Sequence, residues 1–137
     1  MTSFRACATG LAGALLLGAV AACTGSPESV TEISADDLAA RKETLVLLDV
    51  RTPQEFTAGH LPQAWNVPLD EVWARMKEIR AKAGPRDLVV YCQGGRRAGS
   101  AAAALSAEGL HVMHLTGDYG GWLSEKRPVE VGAPGTT

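Results

Sequence analysis

The sequence predicts an α/β domain built on a parallel sheet with helices on both faces. Two short apolar runs, Leu45-Val46-Leu47-Leu48-Asp49-Val50 and Leu88-Val89-Val90-Tyr91-Cys92, lack polar alternation, as strands buried on both faces do. Stretches with helical spacing of apolar residues lie between and after them. Gly and Pro punctuate the joins, and no internal repeat is visible.

The first 22 residues stand apart. Met1 to Cys7 carries Arg5 and no acid, and Ala8 to Ala22 contains Ala, Leu, Gly and Val broken only by Thr9. That is the order of a secretory signal's n-region and h-region. The run ends in Val20-Ala21-Ala22-Cys23, which resembles the lipobox of bacterial lipoproteins. The resemblance implies cleavage before Cys23 and acylation of that cysteine. The alternative is an uncleaved membrane anchor, for which the run is slightly short of the roughly 20 apolar residues a span needs. Either way the folded part is expected outside the cytoplasm, tethered to the cell membrane or an outer membrane. Residues 23–30 read as a polar tether, 31–132 as the domain and 133–137 as a flexible tail.

The elements of the domain follow in order. Ser34 is placed as an N-cap with Asp37 three residues on, and Ile33 and Leu38 can staple across the helix start. The first apolar run is a strand. Thr52-Pro53-Gln54-Glu55 is a capping box with Pro at the first helical position. Leu69, Val72, Trp73, Met76 and Ile79 predict one helix, stopped by Gly84-Pro85. The second run, ending at Cys92, is the next strand. An Ala-rich helix from Ala98 to Glu108 ends at Gly109, and His111 to Leu115 is a further strand. Gly117-Asp118-Tyr119-Gly120-Gly121 reads as a turn before Trp122. Trp65, Trp73 and Trp122 read as core. His111 and His114 have no metal-ligand company and read as ordinary, partly buried histidines.

Charge and cysteine content narrow the chemistry. The chain of 137 residues carries a formal charge of −2, and its basic residues cluster only at Arg96-Arg97. No nucleic-acid face is indicated. Of three cysteines, Cys7 lies in the signal and Cys23 would be lipidated, so Cys92 is left in the domain without a disulfide partner. An unpaired thiol in a compartment that permits disulfides is a liability, which argues for a use.

In open parallel sheets, ligands bind beyond the carboxyl ends of the strands. Asp49 and Cys92 both fall there. Gln93, Gly94, Gly95 and Arg96 follow Cys92, and Arg97 is placed at the start of the Ala-rich helix. Two glycines let successive N–H groups turn inward as a nest, next to the positive end of a helix. With Arg96 and Arg97 adding full charge, Cys92 is favoured as a thiolate over a thiol. A buried core thiol is the competing reading, and the Gly-Gly-Arg-Arg that follows argues against it. Arg97 is read as a ligand. Arg96 is read either as a ligand or as a solvated surface charge. Glu55 is read as a cap rather than an acid catalyst. Asp49 and Arg51 either orient the Cys92 loop or form an ion pair with each other.

Four segments together resemble the rhodanese family of sulfurtransferases. They are Asp49-Val50-Arg51-Thr52-Pro53-Gln54-Glu55-Phe56, the stretch Gly59 to Pro68, the Cys92 loop, and Leu115 to Trp122, all in order across Ile33 to about Val131. The resemblance implies a five-stranded parallel sheet. It also implies a Cys92 persulfide that carries sulfane sulfur from a donor such as thiosulfate to a thiophilic acceptor, a thiol or cyanide, with no metal or organic cofactor. A protein could serve as the sulfur acceptor. The six residues from Cys92 to Arg97 match the family's sulfur-binding loop; related phosphatases and arsenate reductases use one residue more. An oxyanion reductase or phosphatase is therefore disfavoured. A second alternative is a rhodanese-like sulfur carrier or protein-binding module without turnover. In this family the Gly59-His60 turn is mostly architectural. The chain departs from the pattern at Gln63 and Asp118, where glycine is usual, and at Ala98, where many members have serine.

Overall fold

The computed structural model describes residues 30–133. The signal, Cys23, most of the tether and residues 134–137 of the tail lie outside them. Five strands, β1 (Thr31–Ile33), β2 (Leu45–Asp49), β3 (Trp65–Asn66), β4 (Asp87–Tyr91) and β5 (Val112–Leu115), form one sheet in the order β1-β5-β4-β2-β3. Every pairing is parallel. Five helices join them: α1 (Ala35–Arg41), α2 (Pro53–Ala58), α3 (Met76–Ala83), α4 (Arg96–Ala107) and α5 (Asp118–Ser124).

The unbroken apolar runs become the two central strands. Along β4, Leu88 and Val90 face one core while Val89 and Tyr91 face the other, and all four are fully buried. The first core joins β2 and β4 to α3 and α4 through Leu48, Ile79, Ala83, Ala101 and Leu105. The second joins the sheet to α1 and α5 through Leu38, Leu115, Tyr119 and Trp122. Burial on both faces explains why neither run alternates.

Several local expectations hold. The Ser34 hydroxyl accepts from the Asp37 N–H at 3.1 Å, and Thr52 and Glu55 close a reciprocal capping box. Gly84 ends α3 with φ 57°, and Gly109 follows α4 with φ 79°.

Five expectations need correction. The stretch from Leu69 is not one helix: a 3-10 turn at Leu69–Glu71 gives way to further turns before α3 starts at Met76. The Leu69 N–H donates to the Val50 carbonyl at 3.2 Å, which ties this stretch to the sheet end rather than to a helix. Trp73 is consequently 63% exposed rather than core, whereas Val72 and Ile79 are buried. Trp65 is only partly buried, under the cations of Arg75 and Lys82, while Trp122 is core. Finally, the Gly117–Gly121 segment is not merely a turn. Gly117 adopts φ 79°, and Asp118 opens α5. His111, expected in the strand and partly buried, instead precedes β5 and is exposed, whereas His114 lies within it, half-buried as expected.

The order of the strands positions the site. From β2 the chain leaves toward β3 at one edge, whereas from β4 it leaves toward β5 and the other edge. The carboxyl ends of these neighbouring strands therefore flank a topological switch point, where connections diverge and leave a crevice. Asp49 is in register with Tyr91, and Cys92 comes one residue later.

Candidate active site

Cys92 extends the 88–90–92 parity of β4, so its side chain starts on the α3–α4 side of the sheet. The residue is 2% exposed, yet it lines a depression of about 580 Å³ together with Leu69, Gly94, Arg96, Arg97 and Ser100. The chain then curls into the start of α4. Gly95 takes φ 99°, a left-handed conformation that suits glycine, and its N–H points back at Cys92 Sγ from 3.0 Å. This is the inward-facing amide expected of a nest.

The back of the loop is held by α5. The first N–H groups of a helix have no partner within it. Here the N–H groups of Tyr119 and Gly120 donate to the carbonyls of Cys92 and Gln93 at 2.9 and 3.1 Å. With these carbonyls turned toward α5, the loop keeps the Gly95 amide for the sulfur. A Cβ on Gly120 would stand 3.3 Å from the Gln93 carbonyl oxygen, so a glycine here permits the close approach. The Cys92 N–H is also taken: it donates to Asp118 Oδ1 at 2.8 Å.

Arg97 lies on the rim with its fork engaged. Its two terminal nitrogens donate to the Glu55 oxygens at 2.7 and 2.8 Å. This pair holds the Glu55 carboxyl down to about 2, with the Thr52 cap adding to the effect and partial burial opposing it. Glu55 is therefore ionised at neutral pH and unsuited to proton donation. Arg97 is correspondingly held in its protonated form, first by Glu55 and to a lesser degree by Cys92. Arg96 is exposed beside the same depression.

Asp49 and Arg51 bond to each other rather than to the loop. Arg51 donates from Nε to both Asp49 oxygens at 3.1 Å and from a terminal nitrogen at 2.7 Å, within a fully buried pair. The same terminal nitrogen donates to the Gly59 carbonyl at 2.8 Å. The link to the loop is indirect: the guanidinium lies 3.9 Å from the centre of the Tyr119 ring, and the Tyr119 amide holds the Cys92 carbonyl. Burial, with Asp49 beside it, pushes the neighbouring Tyr91 hydroxyl well above its ordinary range, so this phenol stays neutral and accepts from the Leu61 N–H.

His60 is architectural. It stacks on Phe56 at 3.6 Å, hydrogen-bonds the Phe56 carbonyl through Nδ1, and exchanges backbone hydrogen bonds with Glu130. Ala98 is wholly buried in the first core.

The sequence left Tyr119, Gly120, Asp118 and His114 without a role at this site. Only Asp118 carried a signal, as a departure from the expected glycine.

A buried thiol at a switch point, cradled by a glycine-turned loop and a helix start, defines a class of cysteine-loop α/β domain. Residues 34–125 match the family model of the rhodanese-like domain, and the chain belongs to that family. It is 35% identical over 104 residues to a protein of Allochromatium vinosum named sulfurtransferase, covering 73% of this chain and 94% of that one. It is 36% identical over 120 residues to an HTH-type transcriptional regulator of Mycobacterium tuberculosis; the match covers 85% of this chain but only about half of that protein, 51%. The fold is similar to that of a rhodanese-related protein from Thermoplasma volcanium, with TM-score 0.68 and 29% identity over 74% of this chain and 98% of the other. The family is thus one that includes sulfurtransferases.

Proposed function

We propose that this protein is a sulfurtransferase that moves sulfane sulfur through a Cys92 persulfide. The observation that carries the reading is the Gly95 amide aimed at Cys92 Sγ from 3.0 Å, in a loop of sulfur-binding length that opens onto solvent. In the first half-reaction the Cys92 thiolate attacks the outer sulfur of thiosulfate. A new S–S bond forms, the old one breaks, and sulfite leaves with the electron pair. In the second, an acceptor nucleophile attacks the outer sulfur of the persulfide. That S–S bond breaks, and the thiolate returns with its electron pair. This is covalent catalysis by an activated nucleophile. Arg96 supplies positive charge at the rim for anionic donors, Arg97 holds its place there paired with Glu55, and the loop amides hold the persulfide anion.

The purified protein is expected to convert thiosulfate and cyanide to thiocyanate, and Cys92→Ala to abolish the conversion. Absence of turnover by the folded wild type would reject the reading.

The lipoprotein reading of residues 1–23 is part of the proposal: export, acylation at Cys23, and a domain that works outside the cytoplasm against small sulfur donors and thiol or protein acceptors. Mass spectrometry of native material is expected to show a chain beginning at an acylated Cys23; an intact Met1 start would contradict it.

A further inference from the structure

We propose that Asp118 and His114 are a positioning pair for the Cys92 nucleophile: Asp118 anchors the Cys92 main chain, and His114 draws the carboxylate's charge away from the sulfur. The inference rests on Cys92 being the reactive thiol and goes beyond the loop residues already described. Asp118 is 4% exposed and sits at φ 53°, in the left-handed region that glycine adopts freely and aspartate only at a small local cost. Glycine would make this turn without strain, so the side chain is retained against a local penalty. Strain of this kind persists where surrounding interactions over-determine it.

Those interactions all lead to the loop. Oδ1 accepts from the Cys92 N–H at 2.8 Å. Oδ2 lies 3.0 Å from where a Cβ on Gly95 would stand, and Gly95 is the residue whose N–H meets Sγ. The carboxylate therefore backs both ends of the turn that forms the cradle. An anion buried there, bonded to the same turn, opposes a thiolate or persulfide at Cys92. His114, on β5 and half-buried, places Nε2 3.1 Å from each carboxylate oxygen. Its ring also lies against the Gly95 position, with Cε1 3.5 Å from that Cβ site. Donating from Nε2 into both oxygens, the imidazole shares the negative charge and leaves the anchor intact.

The test uses the full chain and reads the thiol itself: the rate at which iodoacetamide alkylates Cys92 at neutral pH, followed by peptide mass spectrometry. His114→Leu removes the donor, leaves the Asp118 charge unshared and is expected to slow alkylation about tenfold. Adding Asp118→Asn is expected to restore the rate to within about twofold of wild type. Asparagine tolerates the left-handed conformation, and its amide oxygen can still accept from Cys92. A purely structural role would leave the double variant no faster than the single one. Wild-type alkylation in His114→Leu, or no recovery in the double variant, overturns the proposal. The anchoring half has its own readout. Asp118→Gly fits the backbone and is expected to speed hydrogen exchange of the Cys92 amide more than tenfold, and unchanged exchange overturns it. Because alkylation and amide exchange need no sulfur donor, a failure of sulfur transfer is distinguishable from a failure of this pair.

Discussion

Glu55 shows how one residue serves two levels of structure. Its cap on Thr52 is local and readable from the Thr-Pro-Gln-Glu spacing. Its bidentate bond to Arg97 joins residues 42 apart and leaves no mark in the sequence. The pH consequence follows from the lowered carboxyl, which moves from 4.5 to about 2 on folding. The stabilisation is fully present above about pH 4.5 and is lost as pH falls through about 2. The side chains are about one-third exposed, so about 1 kcal/mol is the expected size after discounting for solvent. Denaturant unfolding of Glu55→Gln between pH 7 and pH 3 is expected to lack this share of the acid dependence; a wild-type slope would contradict the assignment. The buried Asp49–Arg51 pair makes a larger prediction. Arg51→Met leaves Asp49 buried and uncompensated, and a loss of about 3–5 kcal/mol in unfolding free energy is expected. A loss below about 1 kcal/mol would show that Asp49 finds another partner.

Among the elements, α5 departs furthest from local sequence rules. Its seven residues include two glycines, weak helix formers, and the segment reads as a turn. Tertiary contacts override that preference: Tyr119 and Trp122 bury one face, and the free N–H groups of its first turn hold the Cys92 loop. Gly120→Ala is expected to push on the Gln93 carbonyl and slow persulfide formation several-fold, with only a small change in melting temperature. An unchanged rate would show that the loop tolerates displacement from α5. The broken stretch from Leu69 to Ala83 teaches a related lesson. Its apolar spacing correctly identifies Val72 and Ile79 as core, but a hydrogen bond from the sheet end pins Leu69 and turns Trp73 outward.

At the scale of the molecule, the fold class was legible because two strands buried on both faces leave an unbroken apolar run in the sequence. The edges were not. β1 and β3 have three and two residues, too short for periodicity, and only the family resemblance supplied a count of five. The resemblance singled out the loop and the Leu115–Trp122 segment, but not that α5 and β5 stand behind the loop through contacts such as Asp118 to Cys92, 26 residues apart. Strand order then brings these distant pieces together at the divergence of β2 and β4. Under the proposed function, this convergence makes Cys92 a sulfur carrier in catalysis. The most direct measurement is intact mass spectrometry of the protein after thiosulfate treatment, followed by cyanide. The account predicts one added sulfur atom, localised to Cys92, that cyanide removes as thiocyanate. A folded wild-type protein that gains no sulfur at Cys92 would contradict it.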